Sequence, residues 1–75
     1  MAERLVNSIR DERDRHGWTQ ADLAARIGVS RKTVNTIENG VFVPSTVIAL
    51  KMAEALGVTV QQLFRIDGRD PRPAE

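Results

Sequence analysis

Three times in this chain an apolar residue, a hydroxyl residue and a second apolar residue recur at the spacing that starts a helix. Trp18, Thr19 and Leu23 form the first set, Val29, Ser30 and Val34 the second, and Val58, Thr59 and Leu63 the third. In each set the hydroxyl can accept a hydrogen bond from a first-turn N–H, while the apolar pair closes over the turn as a staple. Asp22 and Gln62 complete a capping box three residues after Thr19 and Thr59, whereas Thr33 replaces the usual acid after Ser30. Gly17, Gly28 and Gly57 lie immediately before these sets, where a preceding helix would stop. A chain punctuated in this way folds as short helices joined by tight links.

Five helices and no strand are expected, in an all-α compact bundle. The first runs from about Glu3 to His16, because Leu5, Val6, Ile9 and Arg13 follow helical spacing and Gly17 ends it. The second runs from Thr19 to about Ile27 and the third from Ser30 to about Asn39. "VFVPS" is then a connector, since Pro44 disfavours helical dihedrals at Val43. Ser45 caps a fourth helix from Thr46 to Leu56, and a short fifth covers about Val60 to Phe64. With 75 residues there is room for one domain, placed at 1–66. The segment 67–75, "DGRDPRPAE", mixes charges with two prolines and is expected to be a disordered polar tail.

Several classes of function drop out at this stage. The chain has no cysteine, and its single histidine, His16, sits among charges at a helix end as a dipole-complementing cap. No catalytic constellation, metal cluster, cofactor site or small-molecule site can be assembled from these residues. No apolar run approaches the ~20 residues that span a bilayer, and charges occupy the place where a signal peptide needs its apolar stretch. A cytoplasmic chain without membrane attachment is expected. The formal charge is only +1, from 11 basic and 10 acidic residues, so any electrostatic argument depends on where the charges sit.

They sit oddly. Arg31 and Lys32 occupy the first turn of the third helix, at the positive end of its dipole, which disfavours cations. Placement at 100° per residue puts Val34, Ile37, Ser30 and Glu38 on one side of this helix and Lys32, Asn35, Thr36 and Asn39 on the other, with Arg31 at the margin. The outward side offers cations for phosphate and polar groups for base edges. Only Gly28, Val29 and Ser30 separate the second and third helices, a link short enough to force the steep crossing of a helix-turn-helix. Ala24 is small at the closest approach, and Gly28 can adopt the left-handed backbone of a sharp turn.

Residues 20 to 39, "QADLAARIGVSRKTVNTIEN", resemble the helix-turn-helix of the lambdoid phage repressor and Cro group, the XRE family. Thr19-Gln20, Leu23-Ala24, Gly28-Val29-Ser30, Ile37-Glu38-Asn39-Gly40 and the later "ALGV" carry the resemblance, which extends from about Ile9 through Phe64. It implies a lambda-repressor-like fold and a double-stranded DNA operator as partner. It further implies a transcriptional regulator, read here as a repressor of bacterial or phage type that acts as a homodimer on a palindromic site. Carried over by position, Arg31, Lys32 and Thr36 read bases, with Asn35 in addition, and Thr19, Gln20, Thr33, Asn39 and Gly40 contact phosphate. Val41 departs from the family, many members of which have a cation there. The competing reading is an antitoxin or helical protein-interaction module, although an antitoxin usually needs a toxin-wrapping segment and this tail is short and polar.

Two further expectations concern the inside and the back of the domain. Arg13 lies on the apolar side of the first helix and Glu38 on the inward side of the third, so they are expected to meet as a partly buried pair, as residues at these positions commonly do in the family. The fourth helix is apolar nearly all round, leaving only Lys51 and Glu54 as a polar strip, more than one core-facing stripe requires. The excess, assigned to Leu56 with Val60, Phe64 and Ile66, is a candidate dimer face; the alternative is a central core helix of a monomer.

Overall fold

The computed structural model describes residues 3–67 as five helices and a two-stranded sheet. In chain order these are β1 (Arg4–Asn7), α1 (Ile9–His16), α2 (Gln20–Ile27), α3 (Arg31–Glu38), α4 (Thr46–Leu56), α5 (Val60–Leu63) and β2 (Phe64–Asp67). The mostly helical bundle is the expected one, and its helix starts are set by the residues that announced them. The Thr19 hydroxyl accepts from the Asp22 N–H at 3.0 Å while the Asp22 carboxylate accepts from the Thr19 N–H at 2.9 Å. Thr59 and Gln62 make the same reciprocal box at 3.0 and 2.8 Å. Ser30 and Ser45 cap α3 and α4 through single bonds from Thr33 and Ile48.

The sheet is where expectation and structure part. Residues 4–7 are not the first turns of α1 but a strand, antiparallel to β2 in the register Arg4↔Asp67, Leu5↔Ile66, Val6↔Arg65 and Asn7↔Phe64. Leu5 and Val6 fit a helical stripe with Ile9, yet Asn7 breaks the helix locally: its side-chain oxygen accepts from the Ile9 N–H at 3.1 Å, a short-range bond that competes with helical pairing. The Ser8 N–H donates to the Leu63 carbonyl at 2.9 Å and locks the strand pair to the end of α5. Phe64 accordingly belongs to β2 and not to the fifth helix. Asp67, expected in the tail, is the last residue of β2 and pairs with Arg4 at 2.8 Å. The rest of the expected disordered tail, 68–75, lies outside the described residues.

Every helix contributes to one core. Ile9, Leu23, Val34 and Met52 are fully buried, and Ile37, Leu56 and Leu63 nearly so. Trp18 packs at the margin between His16, at a ring separation of 4.5 Å, and the Arg26 guanidinium, 3.9 Å from its ring centre. His16 also bonds the Glu12 carbonyl at 3.0 Å, the end-of-helix position foreseen for it.

Burial corrects the candidate dimer face. Leu56 is 2% exposed and Phe64 7%, so both are taken up almost wholly by the monomer core, and Phe64 reaches outward only in the lining of an open apolar depression. Val60 is half-buried against that core and Ile66 is exposed. The apolar excess of α4 lies elsewhere, at Val47 and Leu50, which are 60% and 54% exposed.

Candidate nucleic-acid interface

The turn between α2 and α3 positions the candidate face. Gly28 takes the left-handed backbone at φ +74°, where a side chain is strained, and its cap N–H bonds the Ala24 carbonyl. The next N–H, of Val29, bonds the same carbonyl at 3.0 Å. Ala24 is buried at the crossing, and Leu23, Ile27, Val34 and Ile37 fill the seam between the two helices. With Val34 and Ile37 inside, the opposite side of α3 must face solvent.

That side carries Arg31 and Lys32, both exposed, at the N-terminal end of the helix, and Thr36 one turn further on. Among the described residues neither cation joins an ion pair. The Thr36 hydroxyl donates to the Thr33 carbonyl at 3.1 Å and so keeps its acceptor capacity. Thr33 shares a 2.9 Å hydroxyl contact with Ser30 in the cap, and Thr19 accepts from Asp22 at the start of α2, so both phosphate candidates also shape helix N-termini. Gln20, Asn35 and Asn39 come together: the Asn39 amide donates to the Asn35 oxygen at 3.3 Å, and the Asn35 amide donates to the Gln20 oxygen at 3.2 Å. Gly40, at φ +76°, follows directly and turns the chain away from the helix.

Glu38, the one acid of α3, is withdrawn from this face. Its side chain is 7% exposed and takes a two-pronged guanidinium contact from Arg13, Nε to Oε2 at 3.0 Å and Nη2 to Oε1 at 2.8 Å. The remaining arm, Nη1, donates to the Trp18 carbonyl at 2.9 Å. The hydrogen bond to Glu38, with the charges of Glu38 and Asp14, holds the Arg13 pKa above the ordinary guanidinium value despite burial. One side chain therefore ties α1 to the residue before the α2 cap and to the last turn of α3, and it neutralises a carboxylate that would repel an anion.

Sequence reasoning missed Asn7. Its amide donates to the carbonyls of Ile37 at 3.1 Å and Glu38 at 3.3 Å in the last turn of α3, the first of which also accepts from the Gly40 N–H at 3.0 Å. The signal was present as an Asn just before the Ser8 cap of α1, a residue type that turns the chain by bonding an N–H two residues on, and a helix starting at Glu3 conceals it. The loop after Gly40 was legible as a connector but not as an apolar knuckle: Val41, Phe42 and Val43 are 79%, 53% and 68% exposed. The N–H groups of Val41 and Phe42 both bond the Thr36 carbonyl, and these bonds fix the knuckle against α3.

Comparison with known proteins decides what this arrangement is. The family model described as helix-turn-helix matches residues 9–63, from the start of α1 to the end of α5. The chain belongs to the helix-turn-helix family. This helix-turn-helix protein is of the XRE type, a DNA-binding regulator and not an enzyme. It is similar to an uncharacterised HTH-type transcriptional regulator, MJ0272, of Methanocaldococcus jannaschii, with 41% identity over 60 residues that cover 80% of this chain and 91% of that one. It is also similar to the uncharacterised HTH-type transcriptional regulator YgzD of Bacillus subtilis, 36% identical over 63 residues, covering 84% and 96%. Among solved structures it resembles the restriction-modification controller protein C.AhdI of Aeromonas hydrophila, at a TM-score of 0.68 and 33% identity, over 72% of this chain and 82% of that one. Among the described residues no helix is long and apolar enough to cross a membrane.

Proposed function

We propose that this protein is a sequence-specific repressor that reads the major groove of duplex DNA with α3. The observation that carries the proposal is the sorting of α3: Val34, Ile37 and the acid Glu38 are turned inward, while Arg31 and Lys32 stand exposed at its N-terminus with no ion-pair partner among the described residues. Free N–H groups at a helix N-terminus attract anions, and two cations there gain what their own helix dipole denies them once phosphate or a base edge is present. Arg31, Lys32 and Thr36 are the base readers, since guanidinium and ammonium groups pair with guanine and the Thr36 methyl can meet thymine. Gln20, Asn39 and Gly40 border them as phosphate contacts, with the hydroxyls of Thr19 and Thr33 at the edge. Repression follows from occupancy, because a domain seated in the groove excludes other proteins without any further part.

The same reading includes a homodimer on a palindromic site. Val47, Leu50 and Ile66 are exposed, and Leu50 lines an open apolar depression of about 210 Å³ with Leu5, Pro44, Ala49 and Val60. Two copies joined through this surface would bury apolar area that a monomer leaves wet. Gel retardation of genomic fragments across a salt series tests the proposal. Specific fragments should be retained at salt that releases bulk DNA, and a reporter carrying such a fragment at its promoter should fall when the protein is expressed. Uniform release of all fragments would refute sequence specificity, and a rise in the reporter would refute repression.

A further inference from the structure

We infer that Asn35 is a positioning residue that aims the Gln20 amide at a phosphate, instead of a residue that reads a base. The inference rests on the DNA-binding reading above and assigns a different role to one member of that face. Gln20 is the first residue of α2 and Asn35 lies in α3, so the bond between them crosses the helix-turn-helix. The Gln20 carbonyl oxygen accepts from Asn35 at 3.2 Å, which turns the Gln20 NH2 group away from α3. Among the described residues no acceptor takes those N–H groups. A carboxamide offers an oxygen acceptor at one end and two donors at the other, and a phosphate can use only the donors. Asn35 decides which end of Gln20 is presented.

Asn35 is itself held. Its oxygen accepts from the Asn39 amide at 3.3 Å, so the three amides form one chain in which each donates to the next, from Asn39 through Asn35 to Gln20. The sense of the chain matters, because the reverse would leave the Gln20 carbonyl facing a phosphate. A bidentate contact to adenine needs the amide N–H and the carbonyl of one side chain converging on the same base edge. The two ends of Asn35 are instead drawn to opposite protein partners, and both Asn35 and Gln20 are half-buried, which limits their freedom to swing out. Holding a flexible glutamine in its bound orientation removes part of the ordering cost of binding.

The test uses the full chain and duplexes carrying a site selected from a random pool. Gln20→Ala should weaken binding about tenfold on every sequence, as one hydrogen bond to a charged group is lost. Asn35→Ala should weaken it about three- to tenfold, again on every sequence, with base preference and melting temperature unchanged. In the double variant the loss should stay within about twofold of Gln20→Ala alone, since Asn35 acts through Gln20. In the free protein, the Gln20 side-chain amide signals in a nitrogen-proton correlation spectrum should move on Asn39→Ala, a residue that Gln20 does not touch. A relaxed preference at one base pair in Asn35→Ala, losses that multiply in the double variant, or Gln20 signals indifferent to Asn39→Ala would each overturn the positioning role while leaving DNA binding intact. A wild-type protein that retards no duplex would overturn the DNA reading, and this inference with it.

Discussion

Arg13 and Glu38 meet inside the domain, their side chains 10% and 7% exposed, through two parallel contacts of 3.0 and 2.8 Å. Bidentate geometry is the strongest form of such a pair, and the third guanidinium arm is satisfied by the Trp18 carbonyl. Removing one partner strands the other. Glu38→Gln is expected to cost about 3 to 5 kcal/mol, a large part of what a domain of this size holds in reserve. Thermal denaturation of both single variants and the double variant should show strong non-additivity, because the second change removes a charge already unpaired. Small, additive losses would contradict a buried pair.

Asn7 makes a second test of how α3 is anchored. Asn7→Ala leaves the Ile37 and Glu38 carbonyls and the Ile9 N–H without their side-chain partner, and should cost about 1 to 3 kcal/mol in urea denaturation. A change below about 0.5 kcal/mol would show that water replaces all three bonds, since typical surface substitutions fall within that range.

Asp22 gives the fold a pH dependence of known sign. The Thr19 backbone N–H, then the Thr19 hydroxyl, hold its carboxyl below the ordinary value of 3.8, with Arg26 assisting. The stabilisation is therefore present above pH 3.8 and is lost as pH falls through the lower folded-state value. Asp22→Asn keeps an acceptor for the Thr19 N–H but cannot titrate. The stability gap between wild type and this variant should be widest above about pH 5 and should close in the acid range. A gap that stays constant from pH 2 to 6 would contradict the assignment.

The helix starts were legible because each is decided within four residues: Thr19 with Asp22, Ser30 with Thr33, Thr59 with Gln62. The Arg13–Glu38 pair was legible because charges occupied positions of an apolar stripe. The sheet was not, because Arg4 and Asp67 are 63 positions apart and Leu5, Val6 and Ile9 satisfy a helical period as well as a strand. Leu56 and Phe64 were assigned to a dimer face because α4 is apolar on several sides, and pattern alone cannot say which side meets the core. The burial of Met52, Ala53 and Leu56 settles it and leaves Val47 and Leu50 outside.

That outer surface carries the prediction for assembly. Leu50→Lys should convert a dimer to a monomer in sedimentation equilibrium while the domain stays folded, as Leu50 is already more than half exposed. Leu56→Lys should instead unfold the domain. An unchanged mass in Leu50→Lys would place the two-fold contact elsewhere.

Selection from a randomised duplex pool with wild type, Arg31→Ala and Lys32→Ala decides whether α3 reads sequence through its N-terminal cations. The wild type should enrich one palindromic site, its half-sites about 34 Å apart. Each variant should keep that site but lose preference at one symmetry-related pair of positions, with about 1 to 3 kcal/mol of discrimination gone there and little elsewhere. An enriched site whose base preferences are unchanged in both variants, with affinity lost equally on every sequence, would show that Arg31 and Lys32 touch phosphate alone and that the reading of sequence lies outside α3's first turn.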